Sequence, residues 1–199
     1  MVCTGNLCRS PMAEALMRNK LLKHYPGLAA FTEVTSAGTA AIEGNPATAS
    51  AVQAMDLWGI DLEPHRASLL DSARLREADL VLTMSRDHLL SVGRLDPGAL
   101  KKSTTLKYLA GIAEEISLRL GEETVGNENE ARRRIKAVLS LLSEPDPEGG
   151  FLADIQKRAS DIIDPIGSSL QVYLGVAEEI DDSLNEVLRA LFGRPETSP

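Results

Sequence analysis

The sequence predicts an α/β sandwich built on a parallel sheet, and three observations carry that expectation. Strand-like and helix-like segments alternate along the first half of the 199-residue chain. The run Asp79-Leu-Val-Leu-Thr-Met84 is short and continuously apolar, as in a strand covered on both faces. A long amphipathic pattern over 169–192 puts Val172, Val176, Ile180, Leu184, Val187, Leu188 and Leu191 on one stripe, suited to packing on a sheet.

The elements follow in order. Met12, Ala15, Leu16, Asn19 and Leu22 recur at helical spacing and predict a helix over 11–23, with Glu14, Arg18 and Lys20 on its other side. Residues 31–36 lean toward a strand, and 46–58 read as a second helix. After the strand at 79–84 comes a short helix that ends before Asp96. Residues 106–163 read differently: helical patterns at 106–120 and 130–142 flank a polar stretch, and the run Glu144-Pro-Asp-Pro-Glu-Gly-Gly150 breaks the chain again. Too poor in strands to be an α/β domain, 106–163 is expected to be a helical insertion within a single domain, 1–199. Arg132-Arg-Arg134 inside it reads as a solvated face. Gly193-Arg194-Pro195 should end the last helix.

Composition narrows the function. At 43% hydrophobic and 25% charged residues the chain is expected to fold. A net charge of −8 with 4% aromatics disfavours a nucleic-acid surface. No apolar run nears the roughly 20 residues that cross a bilayer, and no leader pattern opens the chain, so a soluble, cytoplasmic protein without a membrane partner is expected. His24, His65 and His88 lack metal-ligand spacing, and no P-loop or dinucleotide fingerprint occurs, so neither metal nor cofactor is expected. Two cysteines, Cys3 and Cys8, are too few for a disulfide framework.

Those cysteines sit in the string Cys3-Thr4-Gly5-Asn6-Leu7-Cys8-Arg9-Ser10-Pro11. Ser10-Pro11 reads as an N-cap with proline at the first helical position, so the loop runs straight into a helix N-terminus. Gly5 and Asn6 tolerate positive φ, which lets the backbone N–H groups curl around a tetrahedral oxyanion. Arg9 would grip two of its oxygens, and Cys3 at the centre, facing the helix terminus and Arg9, would be held as a nucleophilic thiolate. Attack on phosphorus follows. The plainer alternative, two small buried cysteines in an ordinary turn, does not explain why Gly5, Asn6, Arg9 and Ser10-Pro11 occur together.

This string resembles the N-terminal signature of the low-molecular-weight protein-tyrosine-phosphatase family, bacterial type. Ser36-Ala-Gly-Thr39, Gly59-Ile-Asp61 with His65-Arg66-Ala67, the 78–84 run and Asp164-Pro165 before a long helix match the family in order. The resemblance implies a three-layer fold around a four-stranded parallel sheet, with the phosphate-binding loop (Thr4, Gly5, Asn6, Leu7, Cys8, Ser10) at the first strand-helix turn. It implies Cys3 as nucleophile, Arg9 as phosphoryl clamp and Asp164 as general acid and base. Ser10 would stabilise the sulfur, Asn6 would hold the loop through Ser36 and His65, and Cys8 would form a reversible disulfide that protects Cys3. Of three Asp-Pro pairs, at Asp96, Asp146 and Asp164, only the last precedes the final helix. The implied substrate is a phosphorylated protein or small aryl phosphate; oligomeric state is not legible.

The match also departs from the family. Only Met1-Val2 precedes Cys3, short for a central strand, which predicts unpaired backbone beside the loop and weak folding that added apolar residues upstream would restore. Aromatic pocket walls are replaced by Ile166 and Ala40-Ala41-Ile42, which predicts weaker stacking on a phosphotyrosine ring. Leu7 in place of threonine argues against the protein-arginine-phosphatase branch. Arsenate reduction would need an external thiol, since no cysteine follows Cys8, and a non-enzymatic phosphate or phosphopeptide binder is the remaining alternative.

Overall fold

The computed structural model describes residues 1–143 and 161–195. Four strands form one parallel sheet in the order β2-β1-β3-β4: β1 Val2–Cys3, β2 Ala37–Gly38, β3 Val81–Thr83 and β4 Ser103–Thr105. The helices in this first part of the chain are α1 Arg9–His24, α2 Pro26–Ala29, α3 Ala49–Asp56, α4 Ser72–Glu77 and α5 Arg86–Leu95. They are followed by α6 Leu106–Gly111, α7 Ala113–Leu120, α8 Glu128–Leu142 and the long helix Leu170–Phe192.

Alternation along the strands divides the interior into two layers. Cys3 and Leu82 point into the larger core with Met12, Leu16, Leu106, Ile180 and Leu184. Val2, Ala37 and Val81 point the other way, onto Leu70, Leu75, Val92 and Ala99. The parallel sheet is therefore covered on both faces, as the sequence predicts.

Although β1 is two residues long, it is central and paired on both sides: Val2 stands opposite Ala37 and Thr83, and Cys3 opposite Gly38. Met84 N donates to Val2 O at 2.8 Å and Thr39 N to Cys3 O at 2.9 Å. This corrects the expectation of unpaired backbone beside the loop. At the other end of the strand Met1, residues 31–37 and residues 78–82 line a cavity of about 460 Å³. The same register corrects the expected strand at 31–36: β2 begins only at Ala37, where Val2 supplies a partner.

The expected helix at 46–58 is α3, entered at Thr48, whose Oγ1 accepts from Ala51 N at 3.3 Å. The pattern at 106–120 is two helices broken around Gly111 and Ile112, and α8 starts at Glu128 behind an Asn127 cap. Leu106, Leu109, Ile116, Val138 and Leu142 share the larger core with the long helix. The Arg132–Arg134 run is not merely a solvated face. Arg132 pairs with Asp79 and Glu128, while Arg134 donates to Ala190 O at 3.0 Å and to Leu120 O and Gly121 O at 2.6 Å each, occupying carbonyls at two helix ends. The break at 144–150, Asp146 included, lies outside the described residues. No helix among the described residues is long and apolar enough to cross a membrane.

Candidate active site

The loop from Cys3 to Arg9 leaves the C-terminal end of the central strand and enters α1, the place where ligands bind in open α/β sheets. Asn6 is the one described non-glycine residue with positive φ, at 54°, and it is fully buried. A left-handed turn there is strained unless the side chain is anchored, and Asn6 is anchored at every polar atom. Its Nδ2 donates to Ser10 Oγ at 2.9 Å and Ser36 Oγ at 2.8 Å, its Oδ1 accepts from Ser68 N at 2.9 Å, and its carbonyl accepts from His65 Nε2 at 2.8 Å. The contacts expected of Ser36 and His65 are present, and the carbonyl acceptor makes Nε2 the protonated nitrogen of His65.

Asn6 also turns its backbone N–H toward Cys3 Sγ at 3.3 Å. Ser10 Oγ accepts from Asn6 and lies 2.9 Å from the same sulfur, so the hydroxyl proton of Ser10 is directed at it. That diverted hydroxyl corrects the expected cap. Helix α1 begins at Arg9 with Cys8 as N-cap and no side-chain cap, and Ser10 and Pro11 fall in its first turn. No side chain therefore caps the N–H groups of Arg9 and Ser10, while Met12 N donates to Cys8 O at 3.1 Å.

Arg9 is buried and faces Asp164, with Nη2 2.5 Å from Oδ2, while Nη1 donates to Ile162 O at 3.2 Å. Ile162 is itself fixed, since its N–H donates to Met84 O at 2.8 Å, just past β3. Thr4, Arg9, Thr39, His88, Asp161 and Asp164 line a cavity of about 550 Å³. Of the rival Asp-Pro carboxylates, Asp96 caps the 3-10 turn at Gly98 with its Oδ1 and is not in this cavity. Gly38 packs against the loop so closely that a Cβ there would stand 2.4 Å from Thr4 O and 2.9 Å from Asn6 N.

Cys8 is buried with its thiol 3.4 Å from both Thr48 Oγ1 and Tyr173 OH, and burial pushes that thiol above the usual cysteine range. Both cysteines are free. Ile42 and Ile166 are 69% and 59% exposed, so the aliphatic residues at the aromatic wall positions stand out into solvent. Sequence reasoning missed the Ile162 backbone acceptor, the Ser68 amide and the pair Ser85–His88. Only His88 had a signal, one helical turn past the end of a buried strand.

A model of the family described as low molecular weight phosphotyrosine protein phosphatase matches residues 1–121. The chain belongs to this family. It is 48% identical over 84 residues to "Probable low molecular weight protein-tyrosine-phosphatase EpsP" of Ralstonia solanacearum, a match over 42% of this chain and 52% of that protein. It therefore spans about half the length of that relative. It is 40% identical over 117 residues to the protein-arginine-phosphatase of Geobacillus stearothermophilus, covering 58% of this chain and 74% of that one. The fold is similar to the low molecular weight protein tyrosine phosphatase of T. tengcongensis, with a TM-score of 0.64, 31% identity, and coverage of 94% and 95% of the two chains.

Proposed function

We propose that this family member is a cysteine-dependent phosphatase that hydrolyses phosphomonoesters, protein phosphotyrosine foremost, through a cysteinyl-phosphate. The observation that supports it best is that Cys3, buried with its sulfur held by Asn6 N and Ser10 Oγ, begins the loop whose Thr4 and Arg9 line one cavity with Asp164. In the first step the Cys3 thiolate attacks phosphorus, the ester P–O bond breaks, and Asp164 gives its proton to the departing oxygen. In the second step the Asp164 carboxylate takes a proton from water, the oxygen of that water attacks phosphorus, and the P–S bond breaks to return the thiolate and free phosphate. Arg9 and the loop N–H groups hold the equatorial oxygens through both steps. Arrival of the phosphoryl dianion competes with Asp164 for Arg9, so binding would release the carboxylate to take up the proton that it gives in the first step.

Relatives of both tyrosine and arginine specificity resemble the chain, and Leu7 supports the tyrosine reading. An arsenate reductase would need a resolving thiol from outside. A cytoplasmic setting fits two unpaired thiols. We read the 106–163 segment as an insertion that thickens the core, because its described helices bury their apolar residues against the long helix. The test is turnover of an aryl phosphate, a phosphotyrosine peptide and a phosphoarginine peptide by the wild type and Cys3→Ser. Turnover of the first two, abolished in the variant, supports the proposal. Cysteine-independent turnover, or turnover of phosphoarginine alone, overturns it.

A further inference from the structure

His88 is buried at the edge of the cavity and bridges two hydroxyls: Nδ1 lies 2.8 Å from Ser85 Oγ and Nε2 lies 2.8 Å from Thr4 Oγ1. Thr4 is the loop residue next to Cys3, and it is exposed where it lines the cavity. Ser85 stands at the N-cap of α5, where a serine usually caps its helix, yet its hydroxyl makes no cap bond and turns to His88 instead. Ser85 thus gives up its cap bond to hold the imidazole three residues on, and that imidazole reaches Thr4, 84 residues away in sequence.

Burial, with Arg9 nearby, pushes His88 down to about 4, so near neutral pH the ring carries one N–H. The bridge then has two directions. If Thr4 donates to Nε2, its oxygen offers only lone pairs to the cavity, which would repel an anion. If Ser85 donates to Nδ1 and Nε2–H donates to Thr4 Oγ1, the Thr4 hydroxyl proton is released toward the cavity.

Resting on the phosphatase reading above, we propose that Ser85, His88 and Thr4 form a hydroxyl relay that aims the Thr4 O–H at a non-bridging oxygen of the bound phosphoryl group. Thr4 is the binding residue and His88 the positioning residue. The direction fixes the ring tautomer: passing from the first to the second moves the His88 proton from Nδ1 to Nε2 by exchange, with no net gain or loss of protons, and the anion selects the second. The loop thereby gains a side-chain donor besides its backbone N–H groups and Arg9.

The experiment titrates inorganic phosphate, as competitive inhibitor and by calorimetry, into the wild type, Thr4→Val, Thr4→Ser, His88→Leu, His88→Gln and the double variant Thr4→Val/His88→Leu, with melting curves on each. Loss of one hydrogen bond to an anion should weaken phosphate binding about tenfold in Thr4→Val. Thr4→Ser, which keeps the hydroxyl, should restore it. His88→Leu should match Thr4→Val, with His88→Gln partly recovered because an amide can donate to Thr4 and accept from Ser85. The double variant should be no weaker than the worse single one. Phosphate affinity unchanged in Thr4→Val, or losses that multiply in the double variant, would overturn the relay. Should His88→Leu fail to fold, the Thr4→Val and Thr4→Ser pair decides alone. A wild type that neither binds phosphate nor turns over ester would sink the phosphatase reading itself, whereas binding that ignores Thr4 sinks only the relay.

Discussion

Replacing Gly38 by alanine is the sharpest steric probe of the loop. The added Cβ would stand 2.4 Å from Thr4 O, 2.9 Å from Asn6 N and 2.9 Å from Ala41 Cβ, against ordinary contacts of 3.4–4 Å. Two of these neighbours are backbone atoms of the phosphate loop and cannot rotate away. Either β2 or the loop must therefore yield by about 1 Å. The loop is pinned by the Asn6 bonds and β2 by the ladder to β1, so neither yields freely. Overpacking of this kind costs about 1–3 kcal/mol of stability. Displacing donors by about 1 Å from a transition state costs on the order of 100-fold in rate. The assay is steady-state hydrolysis of an aryl phosphate at a temperature where melting curves show Gly38→Ala folded. We expect kcat down about 100-fold, with a melting temperature only a few degrees lower. Activity within about twofold of wild type in the folded variant would refute the claim that the loop position sets the rate.

Three further outcomes follow. His88 titrates near 4 in the folded chain and near 6.5 when unfolded, so its neutral form is fully accommodated above pH 6.5 and stability falls as pH drops from about 6.5 toward 4. Burial is the main cause, with Arg9 adding to it and Asp164, Asp161 and Asp87 opposing; the span is worth up to about 3 kcal/mol, and His88→Gln should flatten denaturant midpoints between pH 7 and 5, whereas an unchanged slope would contradict it. Peroxide would oxidise the Cys3 thiolate to a sulfenic acid that condenses with the Cys8 thiol, releasing water, so thiol should restore the oxidised wild type but not Cys8→Ser; equal recovery would count against the disulfide. Arg134→Ala strips partners from Leu120 O, Gly121 O and Ala190 O, and should lower stability by about 2 kcal/mol in chemical denaturation while leaving kcat unaltered.

The shape of the loop was the most legible part of the site, because Asn6 answers a local demand for positive φ; the roles proposed for Arg9 and Cys3, oxyanion clamp and nucleophile, rest on residue type and spacing. Asp164 needed the family resemblance, since three Asp-Pro pairs look alike until the chain closes and one of them meets Arg9. The buried strand at 79–84 was visible through apolar continuity, while β4 was not, because Ser103, Thr104 and Thr105 are buried without being apolar. Helix α1 was misphased at its start because Ser10 spends its hydroxyl on Cys3 and Asn6, a tertiary use that no local rule anticipates. Its inner face also shifted, with Ala13, Met17 and Leu21 buried and Leu22 left outside. Arg134 read as a solvated face, and His88 was noted only for lacking metal-ligand spacing, because the partners of Arg134 lie 13 to 56 residues away in sequence and Thr4 lies 84 residues from His88.

The central claim is that phosphate passes through Cys3. Rapid acid quench of the enzyme mixed with aryl phosphate, followed by peptide mass spectrometry, tests it directly, with Asp164→Ala used to slow hydrolysis of the intermediate. The account predicts one added phosphoryl group on the peptide carrying Cys3, formed in a burst with the released phenol and absent from Cys3→Ser. Turnover with no phosphoryl group on that peptide, or with the group on another residue, would contradict it.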